Sequence, residues 1–165
     1  MARLRGGGKS CLDKAYRLLA RRPHSVHELT VKLKEAGYGA GEVDEVVRLL
    51  VEKGYLDDDA YCKGYAASRV DRMRLGPKRL RADLARKGFD EALVESALEN
   101  VYGSDGGGEW DVAHEAARKK AAAFKPEMDA KEMKRKLFGH LVRRGFSTDV
   151  ARGLALDMFD KLREG

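Results

Sequence analysis

The stretch Leu80-Arg-Ala-Asp-Leu84-Ala-Arg-Lys-Gly88-Phe89 decides the fold, because its frame of leucine, leucine, glycine and aromatic occurs twice more. Upstream it reads Leu29, Leu33, Gly37, Tyr38, and downstream Leu137, Leu141, Gly145, Phe146. A spacing of four puts both leucines on one face of a helix, and a glycine four positions later suits the left-handed residue that commonly ends one. The aromatic beyond the glycine can fold back on the leucine stripe. Each copy therefore predicts a short helix with its own stop.

The match continues past the stop. At the same four offsets from the aromatic stand Val43, Val46, Val47, Leu50 in the first copy, Val94, Ala97, Leu98, Val101 in the second and Ala151, Leu154, Ala155, Met158 in the third. Gaps of three and four trace a single apolar stripe, so a second amphipathic helix follows each stop. The copies lie 51 and 57 residues apart. An internal repeat of this length makes the chain a tandem array.

A further helix precedes the frame in each copy. In the first, Ala15, Leu18 and Leu19 mark a helix from Ser10 to about Arg22, which Pro23 ends by pushing its predecessor out of helical geometry. Ser25 with Glu28 forms the pattern of a capping box at the start of the second helix. In the second copy Asp57, Asp58 and Asp59 open a helix that runs to about Met73, their charge suited to the first-turn amides rather than to a metal. Gly76-Pro77 resets the chain, with the proline in the first turn of the next helix. In the third, Trp110, Ala113, Ala117 and Phe124 seed a helix that Lys125-Pro126 ends.

The expected fold class is therefore all-α: three tandem three-helix repeats forming an elongated, curved array. Its expected domains are a flexible basic arm over 1–9, repeat one over 10–56, repeat two over 57–102, a glycine-rich linker over 103–108 and repeat three over 109–165. The linker Gly103-Ser-Asp-Gly-Gly-Gly108 leaves the third repeat the most loosely attached.

Of 165 residues, 36% are charged and 7% aromatic, which suits helices with solvated outer faces. The net charge of +6 is uneven: 11 basic and 7 acidic side chains over 1–56, 9 and 9 over 57–102, 13 and 11 over 103–165. Such a balance permits an acidic partner such as nucleic acid. Cys11 and Cys62 form no closely spaced pair, which argues against a zinc site or a disulfide framework and for a reduced cytoplasm. No apolar run approaches the roughly 18 residues of a spanning helix, and no membrane association is expected. Gly8-Lys9-Ser10 ends like a phosphate loop, but Arg3 stands where that loop needs its first glycine. No glycine-flanked nucleophile and no set of metal ligands is present, so neither an enzyme nor a cofactor is expected.

Basic residues recur when the frames are overlaid. Lys78 and Arg79 fall on Arg135 and Lys136, and Arg86 and Lys87 on Arg143 and Arg144, whereas repeat one has His27, Glu28, Glu35 and Ala36 there. Arg72, Arg74 and Arg81 enlarge the patch in repeat two. A single lysine is ordinarily a solvated stem over apolar surface. Clustered along helices, these eleven are the candidate partner-binding residues.

The segments His24-Ser-Val-His-Glu-Leu-Thr-Val-Lys-Leu33, Gly54-Tyr-Leu-Asp-Asp58 and Gly76-Pro-Lys-Arg-Leu-Arg-Ala-Asp-Leu-Ala-Arg-Lys-Gly88 resemble those of the RecX family, bacterial regulators of the RecA recombinase. The resemblance spans roughly residues 12–162 and departs at Leu75 and in the alanine-rich helix near residue 120. It implies a non-enzymatic, monomeric protein that lies along the groove of a RecA filament on DNA, with direct weak DNA contact open, and restrains ATPase, strand exchange and coprotease activity. The residues alone also leave open a DNA-binding regulator of helix-turn-helix type and a helical adaptor between proteins.

Overall fold

The computed structural model describes residues 10–103 and 108–160. The expected arm over 1–9, residues 104–107 of the expected linker and the chain beyond Asp160 lie outside the described residues. Within them the structure is all-helical, with three helices in each of three tandem repeats: α1 Cys11–Leu19, α2 Val26–Glu35 and α3 Ala40–Glu52, then α4 Asp58–Met73, α5 Pro77–Arg86 and α6 Glu91–Tyr102, then α7 Gly108–Ala121, α8 Ala130–Arg143 and α9 Thr148–Asp160.

The stops behave as the frame predicts. Gly37, Gly88 and Gly145 have φ of 92°, 77° and 91°. At Gly37 and Gly145 the paired hydrogen bonds of a Schellman ending close the helix: Gly37 N–H to Lys34 O and Tyr38 N–H to Leu33 O, then Gly145 N–H to Val142 O and Phe146 N–H to Leu141 O. Gly54, with φ of 73°, ends α3 by the same two bonds, to Val51 O and from Tyr55 to Leu50 O. All six frame leucines are fully buried. Tyr38 and Phe146 fold back on their leucines as expected. Phe89 meets the Tyr61 ring edge-on at 5.5 Å.

The starts are capped by side chains. Ser10 Oγ accepts from Asp13 N–H, Asp90 from Leu93 N–H and Asp129 from Lys131 and Glu132 N–H. Ser25 and Glu28 complete the capping box of α2. The two helices ahead of prolines end earlier than their sequences predict. α1 stops at Leu19 and α7 at Ala121, and the residues between helix and proline form tight turns, Arg21 N–H to Leu18 O and Ala123 N–H to Lys120 O. Trp110, read as a core seed, is 44% exposed and lies against Gly153, where the missing side chain makes room for the ring.

The chain packs as two compact units. One holds the described residues up to Tyr61 together with Lys87–Phe89; its core is Cys11, Ala15, Leu29, Leu33, Val43, Val47, Leu50 and Leu56. The other holds Cys62–Arg86 and the described residues from Asp90 onward. There α5 packs on α6, burying Leu80, Leu84, Val94 and Leu98, and α7, α8 and α9 close on Ala113, Ala117, Leu137, Leu141, Phe146 and Leu154. The second and third repeats thus share a unit.

Candidate functional site

The basic residues are placed by a joint between the α4–α5 turn and the end of α8. Arg74 leaves α4 with φ of 47°, and Leu75 and Gly76 follow, buried. Gly76 N–H then donates to Arg144 O at 2.8 Å and Lys78 N–H to Gly145 O at 3.0 Å. Pro77 between them has no N–H to satisfy. Two carbonyls at the α8 terminus, which its own turns leave unpaired, are so answered by amides from the first turn of α5. Tyr102 fastens the same turn by donating its hydroxyl to Leu75 O. A Cβ on Gly76 would lie 2.3 Å from the Gly145 carbonyl carbon, and one on Gly145 would lie 2.4 Å from the Arg79 backbone nitrogen. The expected loose attachment of the third repeat is therefore not what the structure presents: backbone hydrogen bonds hold it to the second.

The joint brings the start of α5, with Lys78 and Arg79, to the end of α8, with Arg143 and Arg144. These are non-equivalent positions of the overlaid frames. Arg135 and Lys136 stand about 12 Å away along α8, eight residues at the helical rise. Carboxylates engage part of the set. Asp83 takes Arg79 at 3.5 Å and also Arg86, Glu95 takes Arg81, and Glu132 takes Lys136 at 2.9 Å. Every partner but the buried Asp83 is substantially exposed, so the Arg81–Glu95 and Lys136–Glu132 pairs add only a few tenths of a kcal/mol, and all four cations stay accessible. Lys78, Arg135 and Arg143 are exposed and pair with no carboxylate among the described residues.

Lys87 is turned inward. Its side chain is 15% exposed, and the ammonium donates to Glu28 Oε1 at 3.1 Å and to Tyr61 Oη at 2.9 Å. Ser25 donates its hydroxyl to Lys87 O, and Arg22 reaches Glu28 from the other side at 3.2 Å. Burial alone would push the Glu28 carboxyl up, but the hydrogen bonds from Arg22, the Ser25 amide and Lys87 bring it down to about 2. Repeat one has Glu28 where the other repeats have Arg79 and Lys136, and that carboxylate fixes the segment after α5 within the first unit.

Arg72, Arg74 and Arg144 converge with Lys119 and Lys120 of α7 on an open cleft of about 210 Å³, with His140 in its wall. Lys119 and Lys120 are functional candidates that sequence reasoning passed over. The signal was the run Arg118-Lys119-Lys120 in the last turn of α7, hidden because it has no counterpart in the repeat overlay. No carboxylate lines the cleft. Burial lowers the His140 pKa, and Arg144, Lys120 and Arg143 lower it further. Cys11 and Cys62 are buried free thiols, and burial followed by the charge of Glu42 pushes the Cys11 thiol up. Among the described residues no group of three His, Cys, Asp or Glu side chains could hold a metal ion.

Fold and site together define a tandem three-helix protein with cations clustered where its second and third repeats meet. Models of the first, second and third three-helix domains of RecX match residues 11–50, 57–98 and 108–153. Regulatory protein RecX of Chlorobium limicola is 34% identical, covering 88% of this chain and 87% of its own. That of Halorhodospira halophila is also 34% identical, covering 87% and 84%. The crystal structure of RecX from Lactobacillus salivarius superposes with a TM-score of 0.75 at 20% identity, over 89% of this chain and 93% of that one, and so shares the fold. The chain belongs to the RecX family.

Proposed function

We propose that the protein is a non-enzymatic regulator that binds RecA filaments on DNA and restrains their ATPase, strand exchange and coprotease activities. The observation that supports this reading is the gathering of accessible cations where the second and third repeats meet, in a chain whose relatives are named regulatory proteins. A filament on DNA presents phosphates and acidic side chains, and a face rich in accessible Arg and Lys is complementary to both. The protein acts as a monomer, without cofactor, in the cytoplasm where such filaments assemble. No helix among the described residues is long and apolar enough to cross a membrane.

The test is a titration of the full chain into RecA hydrolysing ATP on single-stranded DNA. Hydrolysis should fall as the protein approaches the filament concentration. Charge reversal at Lys78 and Arg135, both free of carboxylate partners among the described residues, should raise the concentration needed by about tenfold or more at low salt while circular dichroism stays unchanged. Reversal of Arg48, on α3, should change it little. Hydrolysis unaffected by a several-fold excess of protein would overturn the reading.

A further inference from the structure

Five cationic side chains from three helices of one unit meet at the cleft: Arg72 and Arg74 at the end of α4, Lys119 and Lys120 in the last turn of α7, and Arg144 after α8. Such a convergence is self-repelling, and no acid lines the cleft to answer it; Glu115 beside it is paired with Arg118 and acts on Arg74 only as a lesser charge. Arg72, Lys119, Lys120 and Arg144 pair with no carboxylate among the described residues. Arg74 spends one guanidinium N–H on the Asp71 backbone carbonyl at 2.8 Å, leaving the rest of its five donors. Lys120 lies 5.5 Å from the centre of the Phe124 ring, which takes none of its donors. Glu115, one position before cleft-lining Ala116, is held by Arg118 at 3.0 Å. Burial first and then the charges of Arg144, Lys120 and Arg143 lower the pKa of His140 in the wall, and the neutral ring keeps one N–H to donate.

Size and lining select the anion. About 210 Å³ is below the roughly 300–1,000 Å³ of sites that enclose a whole small ligand, so a nucleotide or cofactor would not be buried here. No Phe, Tyr or Trp lines the cleft, so it lacks the broad platform on which bases ordinarily stack. The apolar lining is two alanines and one methionine, a poor anchor for a peptide, whose affinity ordinarily comes from a large side chain in a pocket. What remains is an open seat for phosphates, with arginine forks and lysine point charges to receive their oxygens.

We propose that this cleft binds the phosphodiester backbone of nucleic acid directly, by charge and without reading sequence, and that it exists because the joint holds the third repeat against the end of α4. The proposal deepens the reading above, and its test leaves the recombinase out so that the two can fail separately.

The test titrates the full chain with a fluorescein-labelled duplex of mixed sequence, followed by anisotropy across a salt series. Binding should weaken steeply with salt, and Lys119→Gln with Arg144→Gln should lower affinity about tenfold or more at low salt and reduce the salt slope by about two. Arg152→Gln, on an exposed position of α9, should leave both unchanged. In a second measurement, inorganic phosphate should raise the pKa of His140 followed by NMR in the parent chain and not in the double variant. The proposal is overturned if the double variant binds duplex as the parent does, if phosphate leaves His140 unmoved, or if the variant loses binding to a polyglutamate peptide while keeping that to DNA, which would make the cleft a seat for an acidic segment. Loss of DNA binding with inhibition of RecA intact would support the seat and count against DNA contact as the means of regulation.

Discussion

Glu28 is the residue on which the first unit converges, since one carboxylate completes the α2 capping box and receives both Arg22 and Lys87. Its pKa of about 2 lies below the ordinary 4.5, so the stability it contributes is present above about pH 4.5 and is lost as pH falls toward 2. Glu28→Gln should destabilise the protein by roughly 1–3 kcal/mol at pH 7, because it takes the charged partner from both Arg22 and the largely buried Lys87, which keeps Tyr61, and should flatten the acid limb of the stability curve. Urea titrations at pH 7 and pH 3 check both, and a loss under about 0.5 kcal/mol at pH 7 would mean the network contributes little. His140 has the opposite consequence on the same axis: its folded pKa is lowered, so protonation below about 6.5 opposes folding. Replacing it by Gln should shrink the decline that begins there, leaving the part due to His24, whose pKa burial also lowers, and the one below 4.5. Leu84, fully buried, is an ordinary core leucine whose change to Ala should cost roughly 2–5 kcal/mol.

The helix stops show how one local design serves different ends. Gly37 and Gly145 have nearly equal φ, 92° and 91°, yet a Cβ on Gly37 meets nothing within 4 Å and one on Gly145 runs into the Arg79 backbone. Gly37→Ala should therefore cost about 1–2 kcal/mol, the left-handed strain alone. Gly145→Ala should cost that plus the separation of the joint, in total on the order of 4 kcal/mol. Gly76→Ala isolates the second part, because the residue is not left-handed and its Cβ would lie 2.3 Å from the Gly145 carbonyl carbon. Equal losses at positions 37 and 145 in thermal unfolding would mean that the contact contributes nothing to stability. The frame was legible because its signal is periodic and local. The stop at Gly54-Tyr55 falls outside the frame, because Val46 stands where the other copies have leucine, but the glycine and its aromatic mark it in the sequence all the same. The role of Gly76 was not legible: in sequence it precedes a proline and reads as a reset, while its neighbour in space is 69 positions away at Gly145.

At the scale of the molecule the repeats were visible and the ties among them were not. Overlaying the frames pairs Arg79 with Lys136 and Arg86 with Arg143, but the fold brings Lys78 and Arg79 beside Arg144, and sends Lys87 to Glu28. Periodicity specifies which residues are equivalent, whereas contact between repeats depends on ends and turns, where the pattern is interrupted. The glycine-rich stretch between α6 and α7 shows the difference. Its composition predicts a boundary that proteases reach, and cleavage is expected first within 103–109. A chain joined only there would fall apart on cutting. Here Gly76 N–H to Arg144 O, Lys78 N–H to Gly145 O and the interlocked glycines hold the second repeat to the third independently of the linker. A nicked chain should therefore migrate as one species on native size exclusion and separate into two fragments only in denaturant. Gly76→Ala, nicked in the same way, should separate without denaturant. Fragments of the parent chain that part under native conditions would show that the joint does not survive without covalent connection, and would leave the linker as what holds the third repeat.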